Sequence, residues 1–121
     1  TTRGLNGLRS PAVPDEITHA AYKCYVFIEP EKLVDGWSRD RILGEIAARG
    51  VPCFSGSCSE VYLEKAFDNT DWRPSERLPV ARELGETSLM FLVHPTLTQV
   101  EVEKTCSVIK EVISMAFNQS R

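Results

Sequence analysis

The last third of the chain carries the pattern that most restricts its fold. Residues 89–93 form a continuous apolar run, which is typical of a well-buried strand. Pro95 ends this run, and Thr98 with Glu101 then fits a capping box, the signature of a helix start. Apolar residues follow at helical spacing to about Phe117. A buried strand followed by an amphipathic helix predicts a helix packed on a sheet. The apolar positions of this helix are Val102, Cys106, Ile109, Val112, Ile113 and Ala116.

Further elements of the same kind precede this pair. Residues 21–28 are rich in aromatic and β-branched side chains, which favours a strand. Ser38 is placed to cap a helix that stops at Gly50, and residues 51–54 suit a short strand. Residues 79–84 suit a short helix that begins with proline and is followed by a glycine. Three strands and two main helices predict an α+β two-layer sandwich, with a three-stranded, mainly antiparallel sheet and the helices on one face.

Residues 1–20 differ from the rest. Pro11 and Pro14 discourage a helix there, and two glycines loosen the segment further. We expect residues 1–20 to be a linker from a missing N-terminal large domain, and residues 21–121 to form a small C-terminal domain. The chain starts without methionine, which is consistent with a piece of a longer protein.

Charge and hydropathy exclude two classes of protein. The net charge is −3, and basic and acidic residues are interleaved, so the sequence lacks the basic stripe of a nucleic-acid binder. No apolar run approaches the roughly 20 residues that cross a bilayer, and residues 1–5 lack the apolar region of a signal peptide. The sequence therefore predicts a cytoplasmic protein with neither nucleic-acid nor membrane partners.

The four cysteines do not form a recognisable metal site. Cys53 and Cys58 are spaced as C-x4-C, whereas zinc sites usually have a tighter pair and a second pair elsewhere. A zinc site and a disulfide are the alternatives, and free thiols in a reducing compartment are the favoured interpretation. We predict no metal.

No complete catalytic set is visible in the sequence. The local signatures of hydrolases, metalloproteases and nucleotide-binding loops are absent. His19 and His94 each stand alone, so a structural role such as capping a turn is favoured over acid–base work. Cys58 has no evident base to make it a nucleophile. Trp37 and Trp72 lie in loops, where packing is favoured over stacking on a ligand.

The small polar stretch 55–59 offers hydroxyl groups and a flexible backbone. Such a loop can hydrogen-bond a sugar or a phosphate, and it can also be a plain connection. Loops as long as residues 55–78 inside a compact domain are often functional.

Five stretches, taken in order, resemble one family of proteins. Together they cover roughly residues 14–116, and their order looks like the C-terminal part of the DegT/DnrJ/EryC1/StrS aminotransferases. The stretches are HAAYKCYVF from His19, SRDRI from Ser38, ARGVP from Ala48, LPVAREL from Leu78 and LMFLVHPTLT from Leu89.

The resemblance implies a fold type I enzyme that depends on pyridoxal phosphate. Such enzymes transfer an amino group, commonly from glutamate, to a nucleotide-linked keto sugar for lipopolysaccharide, O-antigen or antibiotic-sugar pathways. They act as homodimers, and their cofactor machinery lies in a large N-terminal domain. None of the five lysines here has the family's serine-rich surroundings. We therefore assign no catalytic or cofactor-binding residue, and we expect the chain to be inactive alone.

The resemblance also implies that the loop after the second strand faces the substrate. In many members this loop is rich in histidine and aromatic residues, whereas here it is rich in serine. The predicted substrate-binding residues are Ser55, Ser57, Cys58, Ser59 and Tyr62.

Two other functions remain open on the sequence alone. A free-standing small-molecule-binding or regulatory α+β module would have the same architecture, since fold alone does not give function. An interaction domain that only builds a dimer interface is the second alternative.

Overall fold

The computed structural model describes residues 2–117. Their core is one antiparallel sheet with the strand order β1-β2-β4-β3. The strands are β1 (Leu8–Arg9), β2 (Lys23–Ile28), β3 (Cys53–Phe54) and β4 (Ser88–Leu92). The helices are α1 (Arg39–Ala48), α2 (Pro79–Thr87) and α3 (Gln99–Ala116), and three short 3-10 turns cover Pro30–Lys32, Val61–Leu63 and Lys65–Phe67. The predicted α+β class and the mainly antiparallel sheet are confirmed.

The two longer helices share one face of the sheet. Val26 of β2 lies opposite Leu89 of β4, and Cys24 lies opposite Phe91. Because side chains alternate along a strand, these pairs lie on the same face. α1 and α3 contribute their apolar stripes to this core. Its fully buried side chains are Val26, Ile42, Ile46, Leu89, Val112, Ile113 and Phe117.

Both main helices begin as the sequence predicts. The Ser38 hydroxyl accepts the Arg41 N–H at 3.1 Å at the start of α1. At the start of α3, the Thr98 side chain accepts the Glu101 N–H and the Glu101 carboxylate accepts the Thr98 N–H. These bonds satisfy amides that the first turn of a helix leaves without partners. The capping box is therefore confirmed.

The opposite face of the sheet is lined by aromatic residues of β2. The rings of Tyr25 and Phe27 lie 6.5 Å apart at 15°, and the Arg9 guanidinium lies 4.7 Å from the Phe27 ring centre. Met90 and Ser88 of β4 pair with these two positions. We call this side of the sheet the aromatic face; the candidate site lies on it.

Strand β1 was not predicted. The sequence analysis expected an irregular segment, yet Leu8 is buried and pairs with Ile28. Gly7 allows the chain just before β1 to lie against the Phe117 ring, because a Cβ at this position would lie 2.1 Å from an atom of that ring. A two-residue strand beside a glycine has no periodicity to detect. The sheet thus has four strands rather than three, while the domain boundary at residue 20 stays a prediction.

Helix α2 extends beyond its predicted end. The sequence analysis stopped it at Leu84 with Gly85 outside, but Gly85 lies within α2. A Cβ at Gly85 would lie 2.3 Å from the Ser59 hydroxyl oxygen, so this glycine admits the neighbouring loop rather than ending the helix.

Within residues 2–117, no helix is both long and apolar enough to span a bilayer.

Candidate functional site

The segment 55–60, here called the serine loop, folds over the aromatic face. The Ser88 hydroxyl donates to the Ser55 carbonyl at 2.5 Å. Gly56 has a φ of +95°, and a Cβ there would lie 2.6 Å from Cε1 of Tyr25. Glycine alone meets both conditions without strain. The backbone at Ser55 and Gly56 therefore holds the start of the loop against β2 and β4.

Tyr25 fixes the centre of this loop. Its hydroxyl oxygen accepts the Ser57 N–H at 3.1 Å and lies 3.1 Å from the Ser57 hydroxyl oxygen. The hydrogen bond with the Ser57 side chain lowers the pKa of Tyr25, and the nearby Lys23 ammonium acts in the same direction. Tyr25 thus anchors the loop at Ser57 through both the backbone amide and the side-chain hydroxyl.

Two adjoining cavities border the serine loop. One, of about 400 Å³, is lined by the whole loop together with Leu63, Glu64, Gly85 and Glu86. The other, of about 270 Å³, is lined by Tyr25, Phe27, Ser57, Cys58, Ser59, Leu84 and Ser88. Residues 57–59 border both. The first offers hydroxyl and carboxylate groups, and the second adds the aromatic rings of Tyr25 and Phe27.

A clamp of charged and polar groups closes the end of the serine loop. Arg77 donates to both carboxylate oxygens of Glu60, with Nε at 2.9 Å from Oε1. The Tyr62 hydroxyl donates to Glu60 at 2.7 Å and accepts the Leu78 N–H at 2.9 Å. The hydrogen bonds from Arg77, and then that from Tyr62, lower the pKa of Glu60 to about 2. The clamp therefore stays ionised at neutral and mildly acidic pH, and loosens only as pH falls through the lowered pKa.

Arg73 secures the segment that follows. Its Nε donates to the Tyr62 carbonyl at 2.9 Å, and its Nη2 lies 3.2 Å from the carbonyl oxygens of both Leu63 and Glu64. An ion pair with Asp68 at 2.6 Å orients the guanidinium. The long loop, residues 55–78, has little regular secondary structure, yet these bonds hold it in one arrangement.

The structure separates the five predicted substrate-binding residues into two sets. Ser55, Ser57, Cys58 and Ser59 line the cavities, and their contact with a substrate stays a prediction. Tyr62 is buried, and its hydroxyl is occupied by Glu60 and by the backbone of Leu78.

Tyr25 and Ser88, which the sequence analysis did not select, hold the serine loop by hydrogen bonds to Ser57 and Ser55. Strand alternation could have placed Tyr25 on the face opposite the core. Its contact with Ser57, 32 residues away, has no local signal in the sequence.

The isolated histidines and tryptophans have mixed outcomes. His94 Nδ1 lies 2.7 Å from the Thr96 hydroxyl and accepts the Thr96 N–H, so its predicted turn-capping role is confirmed. Trp37 packs against the core, as predicted, and carries the Arg41 guanidinium 4.5 Å from its ring centre. For Trp72, packing was the wrong interpretation, because its side chain is 78% exposed.

The cysteines are free thiols in different surroundings. Burial raises the pKa of the Cys53 thiol to about 11, whereas Cys58 is exposed, with its sulfur 3.5 Å from a carboxylate oxygen of Glu64. Among residues 2–117 no group of three or more histidine, cysteine, aspartate or glutamate side chains is arranged to hold a metal ion.

Comparison with known proteins gives the fold and this site their context. The chain matches no protein-family model and no curated protein. It is similar to an aminotransferase of solved structure from Psychrobacter cryohalolentis, with 64% identity over 80% of this chain and 25% of that one, and a TM-score of 0.79. An aminotransferase from Streptoalloteichus hindustanus is 21% identical over 92% of this chain and 27% of its own, with a TM-score of 0.73. A DegT DnrJ EryC1 StrS aminotransferase from Brucella abortus is 22% identical over 87% and 26%, with a TM-score of 0.68.

These similarities define the class of domain. At 64% identity the chain is homologous to part of an aminotransferase, and it has the fold of one domain of a DegT DnrJ EryC1 StrS aminotransferase. The resemblance that the sequence motifs indicate is therefore confirmed. The chain spans about a quarter of the length of these proteins.

Proposed function

We propose that this chain is the small C-terminal domain of a pyridoxal-phosphate-dependent aminotransferase that aminates a nucleotide-linked keto sugar, with glutamate as the amino donor. The similarity to the Psychrobacter aminotransferase, at 64% identity over 80% of the chain, carries this proposal. Cell-surface polysaccharide synthesis in the cytoplasm is the setting that the proposal implies.

Three of the five lysines lie in surroundings that do not suit a site for pyridoxal phosphate. Such a site needs a lysine for the cofactor aldehyde and an acidic group for the pyridine nitrogen. Lys32 is paired at the surface with Glu29 at 2.7 Å, and the Lys104 ammonium lies 3.4 Å from the Gly50 carbonyl. Lys23 lines a cavity of about 350 Å³, but no residue lining it carries a carboxylate. We therefore place the cofactor, and the chemistry it supplies when bound, on the N-terminal large domain of the same protein.

The contribution of this chain is substrate recognition by the serine loop. Three side-chain hydroxyls, those of Ser55, Ser57 and Ser59, belong to a loop that Tyr25 and the Glu60 clamp hold in place. A polar loop that is ordered before binding loses less conformational entropy when a sugar hydroxyl replaces water. This supports a role in orienting the sugar beside the large domain.

Exposed apolar side chains support packing against further protein. Trp72, Val61 and Leu63 of the long loop are 78%, 55% and 45% exposed, and Val80 of α2 is 66% exposed. A firmly held loop that exposes apolar groups is typical of a contact surface. The partners in the proposal are the large domain and, through it, a second subunit of a homodimer.

The fluorescence of Trp72 tests this packing. In a Trp37→Phe variant Trp72 is the only tryptophan of the 121 residues, and acrylamide should quench it freely in that chain. In the full-length protein, with any tryptophan outside these residues also changed to phenylalanine, acrylamide should quench Trp72 weakly. Equal quenching in both would reject the packing of this loop against the rest of the enzyme.

Cofactor binding tests the central part of the proposal. The 121-residue chain mixed with pyridoxal phosphate should give no stable visible absorbance band, while the full-length protein should give one. A stable band from the chain alone, removed by changing one of its five lysines, would contradict the assignment. A native gene that begins at Thr1 would instead favour a free-standing binding module.

A further inference from the structure

A third cavity, of about 350 Å³, lies beside β2 and is lined by no residue of the serine loop. Its wall includes the cationic side chains Arg3 and Lys23 together with His19, two hydroxyl residues and Tyr25. None of its lining residues carries a carboxylate. We call it the basic cavity.

The two cations of this cavity have no acidic partners within residues 2–117. No ion pair involves Arg3 or Lys23, and the Lys23 ammonium rests 5.6 Å from the centre of the Tyr22 ring. Most other arginines of the described chain are neutralised by a carboxylate: Arg9, Arg39, Arg49, Arg73, Arg77 and Arg82. On a protein with a net charge of −3, two uncompensated cations on one concave wall favour an anionic ligand.

His19 and Thr2 each retain a hydrogen-bond donor beside the bonds that they accept. His19 Nδ1 accepts the Ala21 N–H at 2.8 Å, so the hydrogen of its neutral ring lies on Nε2. The Thr2 hydroxyl oxygen accepts a hydrogen bond from Ser10 at 3.0 Å, which leaves the Thr2 hydroxyl proton to donate. Ala21, which also lines this cavity, has a left-handed φ of 47°, a conformation that residues other than glycine rarely adopt.

We propose that the basic cavity binds the phosphoryl group of an anionic ligand, held by Arg3, Lys23 and the donors of His19 and Thr2. Phosphoryl oxygens only accept hydrogen bonds, so a wall of donors and cations without carboxylates matches them. The group can belong to a diphosphate linked to a nucleoside or to free phosphate.

The position of Tyr25 favours the diphosphate. Tyr25 borders both the basic cavity and the cavity that contains Ser57. A ligand with its sugar at the serine loop and its phosphates in the basic cavity would lie along the Tyr25 side chain. This extension rests on the proposed function, whereas phosphoryl binding itself does not.

The test uses the 121-residue chain and three probes: inorganic phosphate, pyrophosphate and uridine diphosphate. Binding is followed by amide chemical shifts and by titration calorimetry. We expect shifts at residues 2–3, 10 and 19–25, and an affinity that falls severalfold when salt rises from about 0.05 to 0.5 M, because screening weakens ion contacts. Tighter binding of pyrophosphate and uridine diphosphate than of phosphate identifies the diphosphate as the ligand, and equal binding identifies free phosphate.

Charge-removing variants decide whether the basic cavity is responsible. Lys23→Gln and Arg3→Gln should each weaken binding about tenfold, which corresponds to about 1.4 kcal/mol. Lys110→Gln, on an exposed position of α3, is the matched control and should leave affinity unchanged. Since Arg3 lies outside the sheet, its variant remains informative if Lys23→Gln destabilises β2.

The proposal is overturned if no probe shifts these residues at about 10 mM, where even a millimolar site would be filled. It is also overturned if both variants bind like Lys110→Gln. Neither result bears on amino transfer by the full-length protein. Phosphoryl binding can therefore be refuted while the proposed aminotransferase function stands.

Discussion

Replacing Gly56 with alanine should destabilise the chain by about 2–5 kcal/mol. Gly56 has a φ of +95°, and an alanine in this region costs about 1–2 kcal/mol. The new Cβ would also lie 2.6 Å from Cε1 of Tyr25, about 1 Å closer than carbon atoms normally approach. Relieving the overlap moves a ring that holds Ser57, and overpacking of this kind costs about 1–3 kcal/mol.

Gly4→Ala is the matched control for this substitution. Gly4 has a φ of +84°, but no atom lies within 4 Å of the position that its Cβ would take. Urea unfolding followed by circular dichroism should therefore show a loss of about 1–2 kcal/mol for Gly4→Ala and a clearly larger loss for Gly56→Ala. In a Tyr25→Ala background the excess loss of Gly56→Ala should disappear, as expected for a contact between the two residues. Equal losses for the two glycines would refute the claim that Tyr25 holds the serine loop.

Three further changes test the core, a helix cap and a thiol. Thr98→Ala removes the capping box of α3 and should lower the free energy of unfolding by about 1 kcal/mol in the same urea assay; no change would mean that the cap contributes nothing. Ile113→Ala, at a fully buried position, should cost about 2–5 kcal/mol, whereas Met115→Ala, 41% exposed on the same helix, should cost less than about 1 kcal/mol. Iodoacetamide at pH 8 should modify Cys58 before Cys53, because Cys53 is buried with its pKa raised to about 11 and only the thiolate reacts; mass spectrometry of peptides gives the order, and faster modification of Cys53 would contradict it.

Local signals in the sequence predict the framework of the fold. Ser38 and Thr98 mark the starts of α1 and α3 because a capping side chain bonds to an amide only three residues away. The continuous apolar run of β4 and the helical spacing of apolar residues in α3 are local patterns as well, so much of the core follows from them. The family resemblance rests on these segments as well.

The features that the sequence does not predict depend on contacts between distant residues. Strand β1 exists because Gly7 allows close approach to Phe117, 110 residues later in the chain. Gly85 lies inside a helix, and it is a glycine because Ser59 occupies the space that a side chain would take. The candidate site shows the same limit: composition indicates a polar loop, but its arrangement depends on Tyr25, Arg73 and Arg77, whose partners no spacing rule identifies.

Amino transfer by the full-length protein tests the central claim most directly. The protein would be incubated with pyridoxal phosphate, nitrogen-15 glutamate and nucleotide-linked keto sugars, and the sugar products analysed by mass spectrometry. The account predicts that the labelled nitrogen appears on a sugar, and that changing the serines of the serine loop to alanine raises KM for that sugar with a smaller effect on kcat. A full-length protein that binds pyridoxal phosphate yet transfers no nitrogen to any such sugar would contradict the proposed substrate class. A full-length protein that binds no pyridoxal phosphate would contradict the assignment as a whole.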